Sequence, residues 1–361
     1  MNVKRSTLSL YFIILITTSF GLMADSCSKK VKNNIATTPL QPDIPEGFPK
    51  PVYDFENNPL TEEGFALGRK LFYDGRLSID GNFPCASCHQ QFAAFSSYDH
   101  SFSHGFNNAF TTRNAPGLFN EAWQSAFHLD GGINNLEVQP LAPITAPNEM
   151  AESIENIIRK LNKDDVYRQM FRSAFGDDAI TSQRMLKALA QFTVSLVSAD
   201  SKYDRFKKGL LAFTPYEERG YALFKQKCAT CHTEPLFTDG SFRNIGLPAV
   251  PGIDDLGRMK ITGDPADSLK FKVPSLRNVN ITVPYMHDGR FASLEACLQH
   301  YNNGVVKSAT VDPLVADGIH LSNTEVVDMV AFLRTLTDTT LTKNPRFADP
   351  EHKAIFSPDR H

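Results

Sequence analysis

Two pentads, Cys85-Ala-Ser-Cys88-His89 and Cys228-Ala-Thr-Cys231-His232, hold the residue types with the most chemical reach in this chain. In a CxxCH run each thiol can add across a haem vinyl group to form a thioether, and the adjacent histidine supplies an iron ligand. With 6 Cys and 10 His in 361 residues, a chance CxxCH is expected ~0.003 times, so two of them are a signal. A zinc site would pair its cysteines with further Cys or spaced His. A redox dithiol of the thioredoxin type would sit in a βαβ setting. Neither setting is present, and the pattern predicts two c-type haems. One is attached at Cys85 and Cys88 with His89 on the iron, the other at Cys228 and Cys231 with His232 on the iron.

The elements that must position these pentads read as helices. Ile154, Ile157, Ile158 and Leu161 repeat at i, i+3, i+4, i+7, and Leu189, Phe192, Thr193 and Leu196 do the same. Thr214-Pro215-Tyr216-Glu217 is a capping box with proline at the first helical position, and it opens a helix running into Cys228. Ser322 to Glu325 is a second box, opening a helix whose Val326, Met329, Val330 and Leu333 share one face. Strand-like alternation is scarce. The expected fold is all-α, with two cytochrome c-like domains that each carry one covalently bound haem: residues 52–205 for the N-terminal domain and 206–340 for the C-terminal domain.

Residues 1–27 read as a signal peptide of the lipoprotein type. Lys4 and Arg5 precede an apolar run from Leu8 to Phe20, and Cys27 is the candidate lipid-bearing residue. Asp25 departs from the usual cleavage pattern and leaves ordinary processing open. The expected location is the periplasm, with membrane contact only through a lipid anchor at Cys27. Residues 28–51 lack periodicity and read as a flexible tether, and 341–361 as a C-terminal tail. Cys297 remains over from haem attachment and processing; it falls on an apolar helical stripe and reads as a core residue. A net charge of −3 with pI ≈ 6.4 argues against nucleic acid as a partner.

The ordered motifs resemble the bacterial diheme cytochrome c peroxidase family, which includes enzymes that oxidise protein side chains during quinone-cofactor maturation. The run from Gly64 to Ser78 precedes the first pentad. Arg113-Asn114-Ala115-Pro116, Asp130-Gly131-Gly132, Leu136-Glu137-Val138-Gln139 and Pro143-Ile144 follow it, and Val273 to Asn278 and Pro284 to Gly289 follow the second. The resemblance covers roughly residues 55–340. It implies a distal histidine at His104, with His100 as a rival, and an acid–base glutamate at Glu137. Leu136, Val138, Leu141 and Pro143 are expected to desolvate that glutamate and raise its pKa. The family's distal glutamine falls on Phe127, a departure that removes a hydrogen-bond donor. The second iron's sixth ligand, counted from His287, falls on Tyr301, which also shares the apolar stripe of Leu294, Cys297 and Leu298. Met286 and Met259 are the alternatives. Trp123 is either an electron relay between the haems or a core aromatic. Asn114, Thr282 and Pro284 match positions that hold a calcium ion through oxygen ligands.

The leading expectation is therefore a peroxidase that reduces hydrogen peroxide to water with electrons from a small donor protein, a cytochrome c or a cupredoxin. Tyr301 and the absent glutamine favour an alternative, a diheme oxidase acting on a protein or organic substrate. A diheme electron carrier without turnover is the third reading, against which an acid–base glutamate speaks. The sequence leaves a homodimer open.

Overall fold

Glycines decide how closely the principal helices approach. The computed structural model describes residues 36–351; the signal segment, Cys27 and residues 28–35 of the expected tether lie outside the described residues. In chain order the helices are α1 (Glu62–Tyr73), α2 (Cys85–Cys88), α3 (Leu141–Thr145), α4 (Ile154–Asn162), α5 (Asp165–Phe175) and α6 (Ser182–Val194). There follow α7 (Lys202–Lys207), α8 (Pro215–Lys227), α9 (Met259–Thr262), α10 (Leu294–Gln299), α11 (Asn323–Arg334) and α12 (Thr339–Lys343). The sheet content is small: β1 (Phe242–Arg243) pairs antiparallel with β2 (Phe271–Lys272), Phe242 opposite Lys272. The chain is mostly helical, as the sequence leads one to expect.

Two helix pairs frame the pentads. A Cβ at Gly68 of α1 would lie 1.9 Å from the Ala188 carbonyl oxygen of α6. A Cβ at Gly220 of α8 would lie 2.0 Å from the Asp328 carbonyl oxygen of α11. Only a residue without a side chain permits either crossing. The Thr214 and Ser322 capping boxes form as expected, each with its N3 glutamate reaching back to the cap N–H. Val326, Met329, Val330 and Leu333 are buried together.

Two main hydrophobic cores result. One draws on residues from Phe65 to Leu196 together with Leu341 and Phe347, the other on residues from Tyr203 to Leu336. The segment after Leu336 is thus no free tail over its described part. Leu341 and Phe347 pack into the first core, and Tyr73 donates its hydroxyl proton to the Phe347 carbonyl at 2.8 Å. The flexible-tether expectation is corrected for residues 36–51. Leu40 bonds the Leu60 carbonyl at 2.9 Å, Phe48 stacks edge-on against Trp123 at 5.2 Å, and the Trp123 indole donates to the Pro49 carbonyl at 2.7 Å. A few apolar residues without periodicity suffice to bind such a strap, which is why pattern reading passes over them. No helix among the described residues is long and apolar enough to cross a membrane.

The crossings generate a prediction. Gly68→Val and Gly220→Val should each force their helices apart and destabilise the fold by about 1–3 kcal/mol, read as a lower midpoint in urea unfolding. An unchanged midpoint would mean that the helices have room to separate.

Candidate functional site

Each pentad places its histidine by main-chain hydrogen bonds. In the first, α2 is a single turn that spans both thiols and follows Pro84. His89 Nδ1 lies 2.8 Å from the Phe95 carbonyl and 3.1 Å from that of Pro116. In the second, His232 Nδ1 lies 3.1 Å from the carbonyls of both Phe237 and Pro274. Carbonyls only accept, so Nδ1 carries the proton and Nε2 is left with its lone pair free for a metal. Burial lowers the pKa of both imidazoles. Burial also pushes the Cys85 and Cys228 thiols up to about 12. All four pentad cysteines are unbridged thiols.

One cavity of about 710 Å³ runs past both pentads. His89 lines one part of it; Cys228, Cys231, His232 and Tyr301 line another. Tyr301 stands in a π turn, His300–Gly304, that continues α10. Burial raises its phenol pKa, with the Cys297, Cys228 and Cys231 thiols adding to the shift. His300 turns away to the Ile245 carbonyl, at 2.9 Å. Met286 lines the cavity and Met259 does not. Cys297 packs against the second core, as expected, and also lines the cavity.

Several expected residues are placed elsewhere. Glu137 is not among the cavity-lining residues; its carboxylate accepts the Tyr53 hydroxyl at 3.1 Å. The shell expected to desolvate it is incomplete, since Val138 is 40 % exposed. His100 and His104 are both exposed and lie outside the cavity, their rings 5.3 Å apart, with His104 against Phe110. Phe127 is buried in the wall and donates its N–H to the Ile133 carbonyl. Trp123 is buried and lines the cavity. Asn114, Thr282 and Pro284 all line it too, and the Asn114 N–H bonds the His287 carbonyl at 2.8 Å.

Other polar groups do line the cavity. Glu149 and Gln139 line the cavity together with His89. Burial raises the Glu149 pKa, and its charge is felt at Cys88. His128 lines the same wall, within electrostatic reach of His89 and 3.5 Å from the Gln139 amide. Glu121 is 6 % exposed, and burial pushes its pKa up to about 7 against the opposing pull of Lys272 and Gln124. Gln124 donates to Glu121 at 2.8 Å, and Lys272 donates to Gln124 and to the Ala126 carbonyl. Sequence reading missed these. Glu121 had a signal, a lone carboxyl within the apolar run Leu118 to Trp123. Glu149 had only its place after the Asp130-Gly131-Gly132 motif, which does not separate it from Glu137.

Known proteins resemble this chain over most of its length. The family described as "Di-haem cytochrome c peroxidase" matches residues 62–211. The chain is 40 % identical over 298 residues to a methylamine utilization protein MauG of Methylorubrum extorquens, covering 81 % of this chain and 82 % of that one. It is 33 % identical over 330 residues to the cytochrome c551 peroxidase of Nitrosomonas europaea, covering 90 % of each. Among solved structures, a MauG-like protein associated with microbial copper homeostasis superposes with a TM-score of 0.80 at 34 % identity, over 87 % of this chain and all of that one.

Glu121 generates a pH prediction. Its folded pKa of about 7 exceeds the ordinary 4.5, so between those values the folded state holds a proton that the unfolded state has lost. Stability therefore falls as pH rises from 4.5 to 7 and levels above, by on the order of 3 kcal/mol at most. Glu121→Gln should flatten that part of the profile in thermal melts taken at successive pH values. A parallel decline in both proteins would assign the slope to other groups.

Proposed function

The chain belongs to the di-haem cytochrome c peroxidase family, and on that premise we propose that it reduces hydrogen peroxide to water with electrons from a small redox protein. The observation that carries this reading is the single cavity passing both pentad histidines, which Glu149 and Gln139 also line, with Glu149 in electrostatic reach of Cys88 and Gln139 beside His128. The donor set suits two c-type haems: paired free thiols, each followed by a histidine whose Nδ1 is engaged and whose Nε2 is free. Cys85, Cys88 and His89 would hold one haem, and Cys228, Cys231, His232 and Tyr301 would hold the other. These groups define an N-terminal peroxidatic domain and a C-terminal electron-transfer domain that meet near residue 205.

When bound, the haems would bind peroxide at iron and pass electrons to it. The protein's own part is the proton. Glu149, its pKa raised by burial, takes a proton from one peroxide oxygen and delivers it to the other, so that the departing oxygen leaves as water. The Gln139 amide orients peroxide by donating a hydrogen bond, the service expected of a distal glutamine. His128 sets the electrostatics of that wall, and Trp123 passes electrons across the cavity. Asn114, Thr282 and Pro284 hold a calcium ion through amide and carbonyl oxygens. The protein works in the periplasm, tethered through Cys27.

A second reading, an oxidase of protein or organic substrates, is favoured by one observation: Tyr301 faces the cavity beside Cys228 and Cys231. A phenolate ligand lowers an iron's potential, which disfavours storing electrons there.

Mass spectrometry of the mature protein should find two haems that survive acid–acetone extraction; one or none would sink the proposal. Glu149→Gln should cut peroxide turnover by ~10²–10⁴-fold with haem spectra intact, whereas Glu137→Gln, at the Tyr53 contact, should leave turnover within a few-fold. The opposite ranking would return the acid–base role to Glu137. Tyr301→Phe should shift the second haem's absorbance spectrum and raise its potential. A spectrum indifferent to that change would leave Met286 as the ligand and count against the oxidase reading.

A further inference from the structure

A carboxylate shared by two phenols lies behind the second pentad. Tyr203 donates its hydroxyl to Glu234 Oε2 at 2.6 Å, and Tyr221 donates to the same oxygen at 3.1 Å. The Tyr203 ring is 2 % exposed and lies 4.8 Å from that of Phe237, the residue whose carbonyl accepts the His232 proton. The Tyr221 ring is 6.1 Å from that of Tyr203 and only half-buried. Lys225 Nζ sits 4.6 Å from the Tyr221 ring centroid, and Lys207 Nζ lies 3.3 Å from both the Tyr221 hydroxyl and Glu234. Both lysines are exposed. Tyr167 with Asp74 and Tyr53 with Glu137 join one phenol to one carboxylate, and Arg76 already grips Asp74 through two nitrogens.

We propose that Tyr203, Glu234 and Tyr221 form a proton-coupled electron relay from the second pentad to the surface, where small anionic one-electron reductants are oxidised. The proposal rests on the peroxidase reading, which supplies the oxidising equivalents from hydrogen peroxide. In the first step Tyr203 gives one electron inward past Phe237, its O–H bond breaks, and the proton goes to Glu234 Oε2. Tyr221 then gives an electron to the Tyr203 radical; Glu234 returns its proton to Tyr203 and takes that of Tyr221. Finally the reductant gives an electron to Tyr221, and Glu234 restores the phenol proton. Two such passages and two solvent protons turn one peroxide into two waters. Without a carboxylate at hydrogen-bond distance each oxidation would create a buried phenol cation, so the shared acceptor is what makes both steps accessible. Lys207 and Lys225 favour an anion at the outer ring.

The test uses the full-length dihaem protein, mixed with hydrogen peroxide without reductant, frozen and read by EPR. Wild type should give a tyrosyl radical that ascorbate removes. Tyr203→Phe should lose that signal while keeping the peroxide-induced change in haem absorbance. Glu234→Gln should lose it as well, because the amide cannot accept a proton. Tyr221→Phe should retain a radical of altered hyperfine pattern, on Tyr203, that ascorbate no longer quenches. The same quenchable radical in all three variants would overturn the relay alone. Haem absorbance in wild type that ignores peroxide would overturn the peroxidase reading, and the relay with it.

Discussion

Both pentads depend on one constraint: an imidazole N–H must find a main-chain carbonyl in a place where water cannot serve. His89 meets it with the carbonyls of Phe95 and Pro116, and His232 with those of Phe237 and Pro274. In each case one carbonyl comes from the turn just after the pentad and the other from a more distant loop. The two phenylalanines are fully buried, each within its own core. The orientation of a cavity-facing nitrogen is thereby tied to the packing of a whole helical core. A mutation deep in either core would be felt at the histidine as a tilt of the ring rather than as a loss of contact.

Charge completes what packing begins. Arg277 is fully buried, pairs through two nitrogens with Asp204 and donates to the Pro235 carbonyl, fixing the turn between His232 and Phe237. Its guanidinium also lies 5.0 Å from the Phe48 ring and 5.6 Å from that of Phe237. Arg113, which lines the cavity, joins Asp130 to Asp255, and Lys272 reaches Gln124, so segments far apart in the chain are linked beside it. Such partly buried pairs are costly to break singly, because removing one partner strands the other. They hold two separately packed cores in register around a shared space.

What was legible in the sequence was mostly local. Capping boxes at Thr214 and Ser322, the apolar repeats and the pentads are each written within a few residues, and the helices stand where those signals put them. Family membership was legible too, because the order of several motifs is itself information. The acid of the cavity was less so. Glu137 and Glu149 both follow the Asp130-Gly131-Gly132 motif, and which one turns inward depends on the path of α3 and on the Tyr53 hydroxyl, a partner 84 residues away from Glu137. Docking of the strap at residues 36–51 depends likewise on Trp123 and Arg277, far along the chain.

The first core is closed by residues made after the whole of the second. Leu341 and Phe347 fill it, Gln91 beside the first pentad donates to the carbonyls of Leu341 and Asn344, and Arg69 donates to that of Arg346. A chain emerging from its N-terminus therefore cannot seal its first half until its second half has been delivered. The interval gives the first pentad a long exposure to any agent that must reach its thiols before the core shuts. It also makes the two halves a single inheritance unit: a break or recombination junction near residue 205 would part the first core from its own lid.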